Sequence, residues 1–294
     1  MIYPNLDCYY LCVWMLTISK QRLTGPQTTL TTTIRDAAYN STGVTETEWN
    51  NFNQYAAWRN PYYLVYRDYA TQFTTSLLTN LTNYYDFQGN SNDLVGSLNG
   101  TDTAVTYSNS YGKILQGVRN SSTSGRIAIG SNSDFNFIHT TGIFSINFWM
   151  QLTFSNNIAR IFQNCTSPAA NGIQIYTNPA AYFVVAIYNS SSSSDYTAYA
   201  VINPIFSDLN YNMFTVIGDG QFLYIYFNSA LMLKCKLGSL GVGNAQNPLN
   251  LYNNFGASGS ATYNFDELGI WSRALNVAEV AQLYNSGAGL SYPF

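Results

Sequence analysis

The sequence feature that most limits the fold is a strand pattern that runs directly into a helix pattern near the end of the chain. Residues 262–272 alternate between two sets of side chains, and a period of two residues predicts a β-strand. The following residues 277–284 have helical spacing. Asn276 is a good N-cap, and Glu279 three positions later predicts a capping box. We therefore expect a strand and a short capped helix, with Gly287 as the stop signal.

The alternation in this strand also assigns its side chains to faces. Tyr263, Phe265 and Glu267 are expected on one side, because successive side chains of a strand point in opposite directions. Asp266 is expected on the other side. The two neighbouring acids are thus predicted to lie on opposite faces of the sheet.

Short apolar runs separated by Gly, Asn and Ser fill the chain after residue 81, and this spacing is typical of an all-β sandwich. The clearest run is residues 143–154, where Phe144 and Phe148 fall on one face and Trp149 falls on the other. About a dozen such runs favour two packed antiparallel sheets. The predicted strands are residues 103–107, 111–118, 125–130, 143–154, 158–163, 172–177, 181–188, 197–203, 212–218, 221–228, 230–237, 247–252 and 262–272.

Residues 1–81 have a different pattern, which predicts a small mixed or helical region before the sandwich. The apolar run of residues 9–18 is too short to span a bilayer, and it lacks the basic start and cleavage site of a signal peptide. Residues 24–45 are predicted to form an extended arm, followed by two helices, the second over residues 62–81. We therefore divide the chain into an N-terminal assembly or anchoring region and a mainly β domain, residues 82–294.

The composition limits the kinds of partner. Charged residues make up 9% of the chain, the net charge is −3 and the pI is about 5.0, so nothing indicates a nucleic-acid partner. The chain has 25 Tyr and 17 Phe, and aromatic enrichment with few charges is typical of large protein–protein surfaces. The alternative is that low charge simply reflects a β protein rich in Asn, Thr and Tyr.

Cysteine and histidine give no sign of a catalytic or zinc site. The four cysteines are widely spaced without a C-x-x-C motif, so we interpret them as buried free thiols. His139 is the single histidine, and no Gly-x-Ser-x-Gly motif accompanies it. We expect it to be a loop or strand-end histidine held by hydrogen bonds. The cysteines are Cys8, Cys12, Cys165 and Cys235.

Four segments in the same order resemble the laminin G-like, concanavalin A-like lectin/glucanase jelly rolls. Asp266-Glu-Leu-Gly-Ile-Trp-Ser-Arg-Ala-Leu, continuing to Leu-Tyr-Asn285, is similar to the closing strand and helix of that family. Residues 84–96 resemble its opening strand and turn, residues 144–150 its central strand, and residues 213–228 its late hairpin. The resemblance implies a two-sheet antiparallel jelly-roll sandwich over the C-terminal part of the chain.

The resemblance also implies a calcium site, because such jelly rolls often bind one Ca²⁺ between the opening and closing strands. Carried over to this chain, the ligands would be Asp266 together with Asp86 or Asp93. Asn90 and Asn92 could add oxygen ligands, which Ca²⁺ prefers. The alternative is that Asp93 caps a turn and Asp266 holds a backbone corner by hydrogen bonds.

The family includes glucanases, but this chain is not expected to be an enzyme. Retaining glycosidases need two carboxylates about 5 Å apart, and the Glu-x-Asp-x-x-Glu strand of the glucanases is missing. Asp266 and Glu267, predicted on opposite faces, do not supply the pair. Sugar binding remains open, with Tyr196, Tyr199 and Tyr252 as candidate stacking residues that could equally be structural.

Together these observations predict that the chain is a structural and binding protein and not an enzyme. The resemblance extends to jelly rolls displayed on phage and virus particles as head fibres, decoration proteins or adhesins, so we expect a virion-surface protein that binds host-surface glycans. Residues 1–81 would bind other capsid proteins or a second copy of the chain, giving a homo-oligomer. The alternative is an extracellular or cell-surface carbohydrate-binding or adhesion module, and a glucanase-like hydrolase is the third hypothesis.

Overall fold

The computed structural model describes residues 76–122, 124–152, 159–166, 170–178, 182–190, 196–202, 210–252 and 263–294. The predicted arm, the first predicted helix and most of the second lie outside these residues, as do Cys8, Cys12 and most of the serine run 190–195. The predictions for those segments stay predictions. Within the described part, residues 77–80 form a turn where the second helix was expected, and a strand begins at Leu81.

The described residues form mainly β structure. Fifteen strands are present, with a one-turn helix α1 (Phe137–Thr140) before the sixth and a helix α2 (Val277–Tyr284) after the last. Three-residue 3-10 turns cover Asn109–Tyr111 and Asn285–Gly287. In chain order the strands are β1 (Leu81–Tyr85), β2 (Gly100–Thr103), β3 (Val105–Ser108), β4 (Gly117–Asn120), β5 (Arg126–Ile129), β6 (Ile143–Leu152), β7 (Ala159–Gln163), β8 (Asn171–Thr177), β9 (Phe183–Asn189), β10 (Tyr196–Ile202), β11 (Asn212–Asp219), β12 (Phe222–Phe227), β13 (Ala230–Lys236), β14 (Leu249–Leu251) and β15 (Tyr263–Trp271).

The strands form two antiparallel sheets that pack as a sandwich, as predicted. The eight-stranded sheet has the order β13-β12-β11-β6-β15-β4-β3, and β1 pairs with the same edge of β15 as β4 does, further along the strand. The seven-stranded sheet has the order β10-β9-β8-β7-β14-β5-β2. The last strand of the chain therefore lies in the middle of one sheet.

The core lies between the two sheets and is rich in aromatic rings. Phe144 and Phe148 of β6 are fully buried in it, whereas Trp149 belongs to a second cluster on the outer face, which confirms the predicted alternation. The ring of Phe148 stacks on Phe214 at 5.6 Å and on Phe265 at 4.9 Å, measured between centroids. Burying each such side chain stabilises the fold by roughly 1.5–3 kcal/mol.

Strand β15 departs from the predicted alternation at its two acids. The pairing register with β6 shifts between Asp266 and Gly269, and Glu267 has a positive φ of 53°. This bulge adds one residue, so Phe265 and Leu268 both enter the core where strict alternation would separate them. The prediction that Asp266 and Glu267 lie on opposite faces assumed an unbroken period of two and is wrong.

The outer face of the eight-stranded sheet is covered by the C-terminal residues, and we call it the covered face. It consists of Trp149, Met213, Ile217 and Trp271, packed against Leu275, Val280 and Leu283 of the α2 segment and against Tyr292 and Phe294. The capping box of α2 is present, because the Asn276 side chain accepts from the Glu279 amide and the Glu279 side chain accepts from the Asn276 amide. The helix ends at Asn285 in the left-handed region, two residues before the predicted Gly287.

Two predicted strands differ from the structure. The segment predicted at 103–107 is divided by Ala104 into β2 and β3, which belong to different sheets. Most of the segment predicted at 111–118 is a loop, and β4 begins only at Gly117. That loop donates backbone N–H groups to a buried acid, and this tertiary contact outweighs the local strand pattern.

Candidate functional site

The outer face of the seven-stranded sheet carries a row of polar and aromatic side chains. Core residues such as Phe162, Ile175 and Val185 point inward, so the residues between them point outward. Pairing register places one outward residue of every strand in a single row. From one edge to the other these are Thr101, Ala128, Asn250, Gln163, Gln174, Ala186 and Tyr199.

A second outward row runs beside the first. Arg160 of β7 pairs with Tyr176 of β8, and the row continues through Val184 to Val201 on the edge strand. Arg126 of β5 lies on the same outer side, because its neighbour Ile127 is buried in the core. We call the surface formed by Arg126, Arg160, Gln174, Tyr176 and Tyr199 the arginine face.

Arg160 is held in place by two neighbours on this face. Its Nη1 donates a hydrogen bond to Oε1 of Gln174 at 2.9 Å, and its guanidinium lies 4.5 Å from the centre of the Tyr176 ring. Gln174 is itself buried and fixed, because its Nε2 donates to the carbonyl oxygen of Cys165 at 2.8 Å and Tyr188 donates to its Oε1 at 3.4 Å. The guanidinium is thus positioned by a buried amide below and an aromatic ring beside it.

The arginine face combines buried supporting groups with accessible ones. Tyr199 is 51% exposed, and its hydroxyl lies 3.5 Å from the hydroxyl of Tyr176. Arg126 is exposed, and Arg160 and Tyr176 are half-buried. Gln174 is only 4% exposed, so it positions Arg160 and does not itself present a contact surface. A ligand at this face would meet guanidinium groups, tyrosine rings and tyrosine hydroxyls.

The arginine face is positively charged. At the outward positions of the described strands, the seven-stranded sheet carries two arginines and no Asp or Glu. Asp102 of β2 has the register of a core residue, and its carboxylate accepts hydrogen bonds from Ser91 at 2.6 Å and Tyr107 at 2.6 Å. Among the described residues, Arg273 and Glu279 form an ion pair, and this pair belongs to the covered face and not to the arginine face.

One of the three tyrosines predicted to contact sugars lies on this face. Tyr199 is there, and Tyr196 lies on the same strand. Tyr252 is in the core, where its hydroxyl donates to the carbonyl oxygen of Val118 at 2.7 Å and its ring stacks on Tyr263 at 4.5 Å, so that candidate is wrong. Arg160 was missed, although a basic residue within a predicted strand of so weakly charged a chain was a usable signal.

The predicted calcium ligand Asp266 is buried and accepts three backbone N–H groups. Its Oδ2 accepts from Lys113 at 2.7 Å and Ile114 at 2.8 Å, and its Oδ1 accepts from Glu267 at 3.0 Å. The carboxylate therefore joins the loop before β4 to the bulge of β15. This arrangement matches the alternative in which Asp266 holds a backbone corner.

The two other predicted ligands also accept N–H groups. Asp93 is the centre of a turn and accepts from the side chain of Asn83 at 2.6 Å and from the backbone amides of Tyr84, Val95, Gly96 and Leu98 at 3.0–3.2 Å. Asp86 accepts from the amide of Gln88 at 3.2 Å. The described residues contain no group of three or more His, Cys, Asp or Glu side chains suited to a metal. The N–H groups that these carboxylates accept favour the structural alternative, and the calcium site stays a prediction.

Glu267 is the second buried acid of the bulge, on the covered face. The hydroxyl of Tyr84 donates a hydrogen bond to its Oε2. Burial is the largest effect and raises the pKa of Glu267 to about 7. Burial, and then the charge of Glu267, raise the pKa of Asp266 to about 9, although its three N–H donors oppose this. Both acids are at most 1% exposed, so neither faces a groove open to substrate.

His139 and the thiols have structural positions. His139 lies in α1, not in the predicted loop or strand end, and its Nε2 is 3.1 Å from the carbonyl oxygen of Gly243. Burial lowers the pKa of this imidazole. Cys165 is a buried free thiol, as expected, whereas Cys235 is free and half-buried. No helix in the described segments is long and apolar enough to cross a membrane.

Solved structures of several toxin binding domains share this sandwich. The binding domain of Paraclostridial Mosquitocidal Protein 1 matches with a TM-score of 0.57 and 18% identity, over 72% of this chain and 53% of that chain. The receptor binding domain of botulinum neurotoxin D matches with a TM-score of 0.58 and 13% identity, over 72% and 54%. The binding domain of botulinum neurotoxin DC, solved in complex with rat synaptotagmin II, matches with a TM-score of 0.57 and 14% identity, over 72% and 52%.

These likenesses show the fold, and this chain spans about half the length of the structures it matches. No curated protein matches the chain. A family model, described as the concanavalin A-like lectin/glucanases superfamily, matches residues 120–281, which is more than half of the chain. The chain therefore belongs to the concanavalin A-like lectin/glucanases superfamily.

Proposed function

We propose that this chain is a non-enzymatic binding protein and that its arginine face binds glycans on a host surface. The observation that carries the proposal is Arg160, held between the Tyr176 ring and the buried Gln174 amide beside the exposed ring of Tyr199. Guanidinium groups and tyrosines are the side chains that most often dominate binding energy at recognition surfaces. Their fixed geometry reduces the entropy lost on binding.

The chemistry of the face favours a sugar over a protein partner. A sugar ring has apolar C–H faces and hydroxyls that both donate and accept hydrogen bonds. Tyr176 and Tyr199 offer flat rings together with hydroxyls that also donate and accept. Among the described residues of this face the accessible set is small, which suits a glycan chain better than the 20–30 residues per side of a standard protein interface.

The burial of Asp266 and Glu267 supports a non-enzymatic role. Glycoside hydrolysis uses two carboxylates flanking the scissile bond. Asp266 and Glu267 are covered, and Asp266 is occupied by backbone donors. The single histidine is also fully buried. A reducing-sugar assay on any glycan that binds is expected to show no product, and steady hydrolysis would support the glucanase hypothesis.

Binding is tested with the full chain on a glycan array. We expect Tyr176→Ala to weaken the bound signal about tenfold, since loss of an aromatic contact of 1–2 kcal/mol is about that factor. Tyr111→Ala is the matched control, because Tyr111 also lies under an arginine, Arg119 at 4.9 Å, but on the eight-stranded sheet side. Equal effects of the two variants, or no glycan bound at all, would contradict the proposal and favour a protein receptor.

The proposed setting is the surface of a virus or phage particle, with residues 1–81 binding capsid proteins or further copies of the chain. The low charge and high aromatic content of the sequence support this setting. A cellular adhesion or carbohydrate-binding module at the cell surface is the second candidate, since the arginine face would serve it equally well.

The assembly role is tested by light scattering. The full chain is expected to be a homo-oligomer, and a chain beginning at residue 76 is expected to be a monomer with the same strand content by circular dichroism. The shorter chain must retain Leu77, because Nε1 of Trp271 donates to its carbonyl oxygen at 2.6 Å. A full chain that is monomeric at all concentrations would remove the assembly role.

A further inference from the structure

We infer that the glycan bound at the arginine face is acidic and that a carboxylate or sulfate group of the sugar binds Arg160. This inference rests on the proposed glycan-binding function and names the class of ligand. It follows from three separate features of the face, namely its charge, the support of Arg160 and the position of Arg126.

The charge of the face is opposite to that of the whole chain. The net charge of the sequence is −3, yet the outward positions of the described seven-stranded sheet hold two arginines and no carboxylate. A surface that binds a neutral sugar does not require this difference in charge between the face and the whole chain. A local positive surface on an acidic protein attracts anions, whereas the rest of the surface repels them.

The support of Arg160 suits an anion that has two oxygens. A guanidinium has five N–H donors in a planar fork, and the hydrogen bond to Gln174 uses one of them. Gln174 is neutral, so it fixes the orientation of the guanidinium without cancelling its charge. The Tyr176 ring at 4.5 Å keeps one side of the guanidinium from water. In such a half-buried position a charge-assisted pair with a carboxylate or sulfate is stronger than on an open surface.

Arg126 supplies a second cation along the same surface. It lies on β5, and β5 is separated from β7 by β14 alone, so the two arginine backbones are roughly 10 Å apart across the sheet. Both arginines lie toward the same ends of their strands. An extended glycan with repeated acidic groups could contact both, whereas a single acidic sugar would contact Arg160 alone.

The test measures binding of the full chain to an array that pairs each neutral glycan with its carboxylated or sulfated counterpart. We expect the acidic member of a pair to bind at least tenfold more strongly, since charged hydrogen bonds contribute about 1.5–3 kcal/mol. Arg160→Gln is expected to abolish that preference. Arg126→Gln is expected to reduce it about two- to threefold, since Arg126 is more exposed and therefore more screened by salt.

Two further variants separate the role of Arg160 from effects on folding. Arg119→Gln removes an arginine that also lies over a tyrosine ring but on the other sheet, and it is expected to leave the acidic preference unchanged. Gln174→Glu keeps Arg160 and adds an internal carboxylate beside the guanidinium, but it also removes the Nε2 donor to the carbonyl oxygen of Cys165. It is expected to remove acidic binding as completely as Arg160→Gln. Circular dichroism checks that the variant folds, and Arg160→Gln alone decides the test if it does not.

The outcomes distinguish the inference from the proposed function. Neutral glycans bound as well as acidic ones, with Arg160→Gln equal to wild type, would overturn the inference and leave glycan binding in place. No glycan bound would overturn both. Free glucuronate and free glucose 6-sulfate, with glucose as the neutral control, are used as competitors to identify the acidic group. Competition by either anion supports the inference, and competition by glucose alone counts against it.

Discussion

The two outer faces of the sandwich are built from the same strand geometry but used in different ways. On the covered face, Trp149 and Trp271 lie beneath α2 and the C-terminal residues and are at most 2% exposed. On the arginine face, Tyr199 and Val201 are 51% and 40% exposed. The tryptophans of the covered face are buried and stabilise the fold, whereas Tyr199 of the arginine face is half exposed to solvent.

The two faces differ in whether the outward side chains of their strands are covered by other parts of the chain. Where an outward position carries a large apolar ring, the chain supplies its own cover, because exposed apolar surface costs free energy in water. On the arginine face the outward residues are not alike, because Gln163 and Gln174 are at most 4% exposed whereas Arg126 and Tyr199 are exposed. The exposed residues have an apolar part that packs and a polar part that contacts water, and they can exchange that water for a ligand.

The difference between the two faces is tested most strongly by removing one aromatic ring from each. Trp271→Ala is expected to lower the free energy of unfolding by about 3–5 kcal/mol, because it leaves a cavity and removes the hydrogen bond to Leu77. Tyr199→Ala is expected to change it by less than about 0.5 kcal/mol. Chemical denaturation monitored by circular dichroism measures both. Similar losses for the two variants would show that the arginine face is also structural.

The buried acid of the covered face gives the next largest effect. The folded pKa of Glu267 is raised to about 7 from 4.5, so the folded state binds its proton more tightly than the unfolded chain does. Its contribution to stability is complete below about pH 4.5 and is lost as the pH rises through about 7. The loss amounts to about 3 kcal/mol. Thermal unfolding at a series of pH values is expected to show it.

Two variants test the assignment of this pH dependence. Glu267→Gln has no ionisable group at residue 267 and is expected to make the fall in melting temperature between acidic and neutral pH shallower. A fall remains because the pKa of Asp266 is also raised. Tyr84→Phe removes a hydrogen bond that lowers the pKa of Glu267, so the fall still begins near pH 4.5 but is expected to continue to a higher pH. A wild-type pH profile retained in the Glu267→Gln variant would assign the effect to other groups.

The arginines of the two faces are expected to differ in their effect on stability. Arg273 donates to both oxygens of Glu279, at 2.8 and 2.6 Å, and to the carbonyl oxygen of Thr79 at 2.7 Å. Arg273→Gln is therefore expected to lower the free energy of unfolding by about 2 kcal/mol. Arg160→Gln breaks one hydrogen bond to a neutral amide and is expected to cost about 1 kcal/mol or less. The reverse order would make Arg160 a structural residue.

The smallest expected effect concerns calcium. An ion bound by the folded state raises the melting temperature in proportion to the logarithm of its concentration. Because Asp266 and Asp93 accept N–H groups, we expect the same melting temperature in Ca²⁺ and in EDTA. A rise with Ca²⁺ that Asp93→Asn abolishes would establish the predicted site.

Much of the fold was predictable because it depends on local patterns. The alternation of residues 143–154 placed Phe144 and Phe148 on one face and Trp149 on the other, and the structure agrees. The capping box of Asn276 and Glu279 was predictable because both partners lie within one helical turn. The strands from β5 onward begin and end close to their predicted limits for the same reason.

The remaining features depend on contacts between distant residues. The bulge at Glu267 exists together with hydrogen bonds from Lys113 and Ile114 to Asp266, more than a hundred residues away, and no local pattern marks it. The arginine face depends on register across seven strands, which places Arg126 and Arg160 on one surface. A single sequence shows that each residue points outward, but not that they lie together.

The place of β15 in the middle of the eight-stranded sheet has a consequence for biosynthesis. Until residue 271 has left the ribosome, β6 on one side and β1 and β4 on the other have no strand between them. The nascent chain must therefore carry two incomplete half-sheets with unpaired edges, a condition that favours aggregation and chaperone binding. Productive folding therefore requires β15 to have left the ribosome, and a ribosome stalled before this strand would release a chain unable to close its sandwich.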